Sequence, residues 1–418
     1  MIKDKDSTYV LWAIGLSLIC ARGALELVLP KSISYIFQVI PWIAIVVLMA
    51  IFKSNQNSSK IRTTSKLAAL MICISMISFL YTIIQGGSEN GAIYFLVLLC
   101  WSILSIAACG FEYKSSPEKL ARIVAACIVT LSIFALLQQL NINTALPGIS
   151  WHFEGIRPSS TTGSYLHYPI IMVFLSTICF QLADFTNKKT YYAFGIFGIV
   201  IVLFAYSRSG FLMSALFVFY ILFRSALRDK SKAIKLFAAS IFIIIISLIL
   251  FPAEVLDRAL STLDTSSSGN NLRVGIWKTA LSSVNFDTAL IGGMFGAVTN
   301  SSSNISGATT FVVESSLLQQ IYNIGIPGAI IFYFIMFTCH SSISNRHIYL
   351  KAISFSFIIQ SLVYQSIEVF PAIALFTFLP ILSSILSHSE NFARKTQSRR
   401  SRIEQAPENQ KHTSVFRT

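Results

Sequence analysis

The sequence predicts an all-α, polytopic integral membrane protein, and three observations carry that prediction. Of the 418 residues, 54% are hydrophobic and only 12% are charged, with a mean hydropathy of +0.67. Soluble domains carry about 25% charged residues, so half that proportion leaves too little polar surface to cover a water-soluble globule. The apolar stretches are continuous rather than alternating, which excludes a membrane β-barrel. Many also approach the length of about 20 residues that a helix needs to cross a bilayer.

Taken in order, the apolar windows give twelve expected spans, at residues 9–29, 34–52, 67–85, 92–110, 120–140, 165–183, 191–206, 209–223, 236–251, 313–339, 352–367 and 370–386. The first window contains Arg22 and Glu26 and lacks a small-x-small cleavage site, so it is expected to be a retained span rather than a signal peptide. The tenth is too long for one straight crossing, and the Gly-Ile-Pro-Gly at residues 325–328 should interrupt it. The spans form one transmembrane domain over residues 1–386, followed by a basic tail over 387–418 that is expected to be cytoplasmic and disordered. All seven cysteines lie within or at the ends of apolar windows. They read as small buried hydrophobes, with no disulfide framework and no metal site.

Orientation follows from the distribution of lysine and arginine, which collect in short cytoplasmic loops. With both termini inside, 25 of the 32 basic residues face the cytoplasm, six face outward and one, Arg22, lies within the first span. The net charge of +14 is thus a topological signal rather than a nucleic-acid footprint, and the tail is expected to touch anionic lipid. Two outward loops stand out by length, at about residues 141–164 and 252–312. The second shows helical apolar spacing over 253–263 and 272–284, which predicts short amphipathic helices along the membrane surface.

No Gly-x-x-x-x-Gly-Lys-Ser/Thr, His-Glu-x-x-His or Cys-x-x-Cys motif is present. The cytoplasmic loops are too short for a nucleotide-binding domain, so any chemistry belongs on the outer face, with neither metal nor cofactor. Three arginines stand out there. Arg157 lies in Glu-Gly-Ile-Arg-Pro-Ser-Ser-Thr-Thr-Gly, Arg208 in Tyr-Ser-Arg-Ser-Gly, and Arg273 opens Arg-Val-Gly-Ile-Trp-Lys. Arginines beside serine and glycine, on the face where cations are scarce, point to a fixed anion site, and a guanidinium suits bidentate recognition of phosphate. A phosphate held at the outer membrane surface is most simply a lipid head. His152, His167 and Tyr168 flank Arg157 as possible substrate contacts, and Trp151 could stack on a sugar. Trp277 is expected to anchor its helix at the interface. Arg22 and Glu26, four residues apart, are placed to pair with each other, and Glu368 stands near the last outward turn.

Four segments in this order resemble the superfamily of O-antigen ligases and O-antigen polymerases, glycosyltransferases of the bacterial envelope. They are Arg157-Pro-Ser-Ser-Thr-Thr-Gly163, Tyr206-Ser-Arg-Ser-Gly210, Arg273-x-x-x-Trp277 with Leu290-Ile-Gly-Gly293 downstream, and Glu314-Ser-Ser-Leu317 eleven residues ahead of Gly325-Ile-Pro-Gly328. The resemblance covers roughly residues 120–335. It implies a multi-span, metal-independent enzyme of the inner membrane that takes a glycan from undecaprenyl pyrophosphate on the periplasmic face. It further implies that Arg208 and Arg273, with help from Arg157, hold the pyrophosphate. Where the ligases carry a His-Asn pair this chain has Glu314-Ser315. That substitution favours a polymerase, which extends one lipid-linked repeat unit with another, over a ligase that transfers the glycan to lipid A-core. Glu314 is then the expected base, and a chain-length regulator is a conceivable partner. A flippase for the same lipid-linked sugars is the competing reading from another class, but transporters place their charges near the membrane midplane, often in related halves. This chain shows no internal repeat.

Overall fold

The computed structural model describes residues 8–53, 55–56, 58–85, 91–142, 145–152, 155–203, 205–228, 231, 234, 237–238, 241, 268–293, 295–296, 313–367 and 369–404. Among these the chain is almost wholly helical. The helices are α1 (Thr8–Cys20), α2 (Arg22–Leu25), α3 (Lys31–Lys53), α4 (Ser58–Ile84), α5 (Gly91–Gly110), α6 (Pro117–Gln139), α7 (His167–Thr186), α8 (Lys189–Leu203) and α9 (Arg208–Arg228). They continue with α10 (Ser268–Ser283), α11 (Phe286–Ile291), α12 (Ser316–Ser342), α13 (Ile348–Val363) and α14 (Phe370–Glu404). Two small antiparallel pairs and a single 3-10 turn at Ser160–Thr162 complete the described structure. β1 (Asn55–Gln56) meets β2 (Phe111–Glu112), and β3 (Ser150–His152) meets β4 (Gly155–Arg157).

Six helices are long and apolar enough to cross a membrane: those over Ile61–Ile84, Pro117–Gln139, His167–Thr186, Arg208–Leu227, Ser316–Ser342 and Phe370–Arg394. Five shorter apolar helices fall on other predicted windows, at Thr8–Cys20, Ile36–Ile51, Tyr94–Gly110, Lys189–Leu203 and Ile348–Val363. The protein is therefore an all-α membrane protein. The predicted span 236–251 and the predicted helix 253–263 lie almost entirely outside the described residues.

Helices α7 and α14 are the most deeply buried of the long apolar helices, and they pack against each other at the centre of the bundle. Around them Trp12, Trp42 and Phe378 meet edge-on or tilted, and Trp101 stacks on Phe332 with centroids 5.4 Å apart. Peripheral helices leave large apolar side chains exposed, such as Ile51 on α3, Ile77 on α4 and Phe219 on α9. An all-round apolar helix of this kind needs lipid or protein on every side.

Local chemistry sets the boundaries. Pro117 opens α6 behind the extended cap Ser116, with Glu118 in the first turn, where a missing N–H and a negative charge are both tolerated. Helix α7 stops at Asn187, which adopts the left-handed conformation. Helix α1 stops at Cys20 instead of filling its predicted window, and Gly23 on α2 lies against the backbone of Gly163, where a β-carbon would come within 2.4 Å of the Gly163 nitrogen. At the other end of the chain α14 continues past Leu386 to Glu404, so the first part of the expected tail is helical. Residues 387–404 contain neither proline nor glycine to stop it.

Candidate functional site

The site is built where α10, the start of α12 and the segment after α13 converge. Arg273, Trp277, Ala280 and Val284 recur at helical spacing on α10 and the residues just after it, so they share one face. Trp277, Ala280 and Val284 pack with Val313, Leu318 and Tyr322 in a small apolar cluster. Tyr322 Oη donates to the Ala280 carbonyl, which ties α10 to α12. Trp277 therefore anchors α10 by packing on α12. One turn toward the N-terminus, the same face brings Arg273 to Glu314, and the two form an ion pair.

The two serines after Glu314 fix the third wall. Ser315 caps α12, accepting from Leu318 N–H at 3.3 Å, and donates to the Leu362 carbonyl at 2.6 Å. Ser316 Oγ donates to the Tyr364 carbonyl at 2.9 Å and accepts from Ser366 N–H at 3.1 Å. Both serines are buried, so these bonds meet polar demands that water does not reach. Their effect is to hold Tyr364 beside Glu314. The Arg273 guanidinium lies over the Tyr364 ring at 4.9 Å from its centroid, and Nη1 donates to the phenol oxygen at 3.5 Å. Burial raises the Tyr364 phenol above its ordinary pKa, and the charges of Arg273 and Arg208 pull it back down. Arg208, the first residue of α9, is thus close enough for its charge to be felt at the same ring.

The break in α12 supports this corner. Gly325 has φ of +71° and ψ of 175°, which divides the helix two residues ahead of Pro327. A break of this kind orphans the preceding carbonyls. Gly293 N–H donates to the Tyr322 carbonyl at 3.0 Å, and the Ser78 hydroxyl donates to that of Asn323. Gly292 and Gly325 both have positive φ, and their backbones meet so closely that a β-carbon on Gly325 would sit 2.5 Å from the Leu290 oxygen. The Leu-Ile-Gly-Gly and Gly-Ile-Pro-Gly segments are therefore the two halves of one joint.

The structure joins Arg273, Glu314 and Tyr364 by direct contacts and leaves Arg208 near enough to act on Tyr364 through its charge; it gives the other predicted residues different neighbours. Arg157 ends strand β4, with its guanidinium over the Tyr165 ring at 5.7 Å. The Pro-Ser-Ser-Thr-Thr-Gly that follows is pinned as a buried turn. Ser160 Oγ donates to the Leu131 carbonyl, and Thr161 Oγ1 to that of Cys20, each at 2.7 Å. Those hydroxyls hold the loop to α6 and α1 rather than facing a ligand. His152 pairs through its backbone with Gly155 in the hairpin, and Trp151 beside it is exposed. His167 Nδ1 lies 3.4 Å from Arg22, which is itself paired with Glu26 at 2.8 Å as the spacing predicted. Tyr168 is fully buried at the start of α7. Glu368 lies outside the described residues.

Tyr364 is the residue that sequence reasoning missed. A tyrosine at the end of an apolar window reads as an interfacial anchor, and only the serine bonds from α12, 48 residues away, place it in the site. At the opposite end of α12 and α13 a polar cavity of about 400 Å³ is lined by Ser341, Asn345, Lys351, Ser384 and His388, among others. No protein-family model matches the chain, and a search of curated proteins finds no match.

Proposed function

We propose that the protein polymerises a bacterial surface polysaccharide. It would move a glycan from undecaprenyl pyrophosphate to a sugar hydroxyl of a second lipid-linked repeat unit. The observation that carries this reading is the Arg273–Glu314 ion pair set against Tyr364 at the end of an apolar bundle, with the charge of Arg208 acting on the same ring. In the proposed reaction the acceptor oxygen bonds to the anomeric carbon of the donor sugar as the bond from that carbon to the phosphate oxygen breaks. Glu314 takes the proton of the acceptor hydroxyl. The electron pair leaves on undecaprenyl pyrophosphate, whose growing charge Arg208 and Arg273 neutralise. Charges already aimed at the place where charge develops are an effective form of catalysis.

The proposed setting is the bacterial inner membrane, with twelve crossings, both termini cytoplasmic and the site facing the periplasm. The distribution of basic residues supports that orientation. A carboxylate at position 314 supports polymerase over ligase. The partners in this reading are the lipid-linked oligosaccharide and the surrounding lipids. The test is reconstitution: the purified protein alone in vesicles, given lipid-linked repeat units, should produce a ladder of longer glycans. Vesicles that instead move the lipid-linked unit between leaflets without lengthening it would make the protein a transporter.

A further inference from the structure

Arg273 is already occupied by an anion. Its Nε is bonded to Glu314, its Nη1 reaches the Tyr364 phenol, and its flat face lies on the Tyr364 ring. A guanidinium offers its N–H groups in a planar fork, and a carboxylate and a phosphoryl oxygen compete for the same edge of it. The Glu314 side chain is 42% exposed and that of Arg273 is 24% exposed, so an incoming anion reaches the pair without unfolding anything. An ion pair open to this extent contributes little net stability and is readily exchanged. Tyr364 lies on the face of the guanidinium and takes only a long contact from Nη1, at 3.5 Å, so it leaves the Nε side to the carboxylate or its replacement. It is held from behind by Ser316, through its own carbonyl.

We infer that Glu314 occupies, in the resting protein, the place on Arg273 that the donor diphosphate takes. Tyr364 is then the positioning residue that keeps the guanidinium aimed while one anion replaces the other. This rests on the reading of Arg208 and Arg273 as a diphosphate site, and it adds an order of events. Donor binding draws Arg273 away from Glu314 and releases the carboxylate, so the base becomes competent only when a donor is present. Before that, the carboxylate is neutralised and poorly placed to activate a hydroxyl or water.

The exchange can be tested without turnover. Inorganic pyrophosphate and a short-chain prenyl pyrophosphate are titrated calorimetrically into the full-length protein in detergent at fixed salt, with monodispersity checked for each variant. Glu314→Gln, which removes the competing charge and keeps the shape, should bind both ligands about two- to five-fold more tightly than the unmodified protein. Glu314→Ala should do the same and replaces the glutamine variant if that one fails to accumulate. Tyr364→Phe should bind like the unmodified protein, whereas Tyr364→Leu should weaken binding by about two- to five-fold through loss of the ring face. Unchanged or weaker binding by both Glu314 variants, with binding still lost in Arg273→Ala, would overturn the exchange and leave the diphosphate site standing. Binding that survives Arg273→Ala and Arg208→Ala would overturn that site and the exchange with it.

Discussion

Arg273 and Glu314 lie 41 residues apart in the chain and form one ion pair, because Trp277 packs on α12 one helical turn beyond Arg273. The pair is a product of two packed elements rather than of sequence proximity. Substitutions at the site therefore separate into those that remove charge and those that remove support.

Loss of either guanidinium tests the charge. Arg208→Ala and Arg273→Ala should each lower chain elongation by about a hundred-fold or more, the effect of removing one preorganised donor from a reacting centre. Protein levels should remain normal, since both are partly exposed helix residues outside the apolar core. Lysine should restore little, because it keeps the charge without the planar fork. Arg258→Ala, outside any of the motifs, is the control. Equal tolerance of all three alanine variants would reduce the arginines to ordinary surface charge.

Glu314→Gln tests the base. A sugar hydroxyl is a poor nucleophile, and a positioned base typically contributes about a hundred- to ten-thousand-fold in rate. Elongation should fall by that order while the lipid-linked donor still binds. Substantial residual elongation would move the base elsewhere, with His152 and His167 the next residues to substitute. The structure weighs against His167, which sits beside Arg22.

Much of this corner was legible in the sequence, and the reason is periodicity. The apolar face of α10 and the break at Gly325 are local patterns, readable from spacing and from glycine and proline alone. The same is true of the Arg22–Glu26 pair. Tyr364 was not legible, because its position depends on Ser315 and Ser316 bonding to a distant segment, and serine in an apolar window carries no signal of its partner. The β3–β4 hairpin was missed because three-residue strands are too short to show alternation. The early end of α1 is not visible in the sequence because Ala21, where the chain leaves the helix, is itself a good helix former. The apolar run ends at Leu386 but α14 does not, because a fall in hydropathy marks the edge of the span while the absence of glycine and proline over 387–404 lets the helix continue.

Orientation can be checked by labelling. Single cysteines at Ser267 and Ser302, which lie outside the described residues, should react with an impermeant thiol reagent added to intact spheroplasts. A cysteine at Ser231 should not. The background is a chain without its seven native cysteines, five of which are buried and one of which, Cys73, is exposed. Labelling at Ser231 alone would invert the proposed topology and overturn the proposed periplasmic placement of the site.

Two glycine-to-alanine substitutions of opposite sign test the joint beneath the site. At Gly325 the backbone is left-handed, φ +71°, and an added β-carbon would lie 2.5 Å from the Leu290 oxygen and 2.7 Å from its carbonyl carbon. Both the conformation and the contact oppose a side chain, and the contact is with backbone, which cannot rotate away. A non-glycine residue in such a region costs about 1–3 kcal/mol before any clash is counted. Gly325→Ala should therefore lower the thermal midpoint of the purified protein. It should also weaken the site, since Gly292 and Gly293 on the facing segment hold α11 next to α12. Gly275 is the counterpart: it is helical and exposed on α10, and an added β-carbon would meet nothing within 4 Å. Alanine there removes the entropic penalty of a helical glycine and should stabilise by about 0.5–1 kcal/mol. Thermal unfolding followed by intrinsic fluorescence in one detergent compares the two directly. A Gly325→Ala protein as stable as the unmodified chain would mean that α12 is not broken there, and that the two glycine segments do not meet.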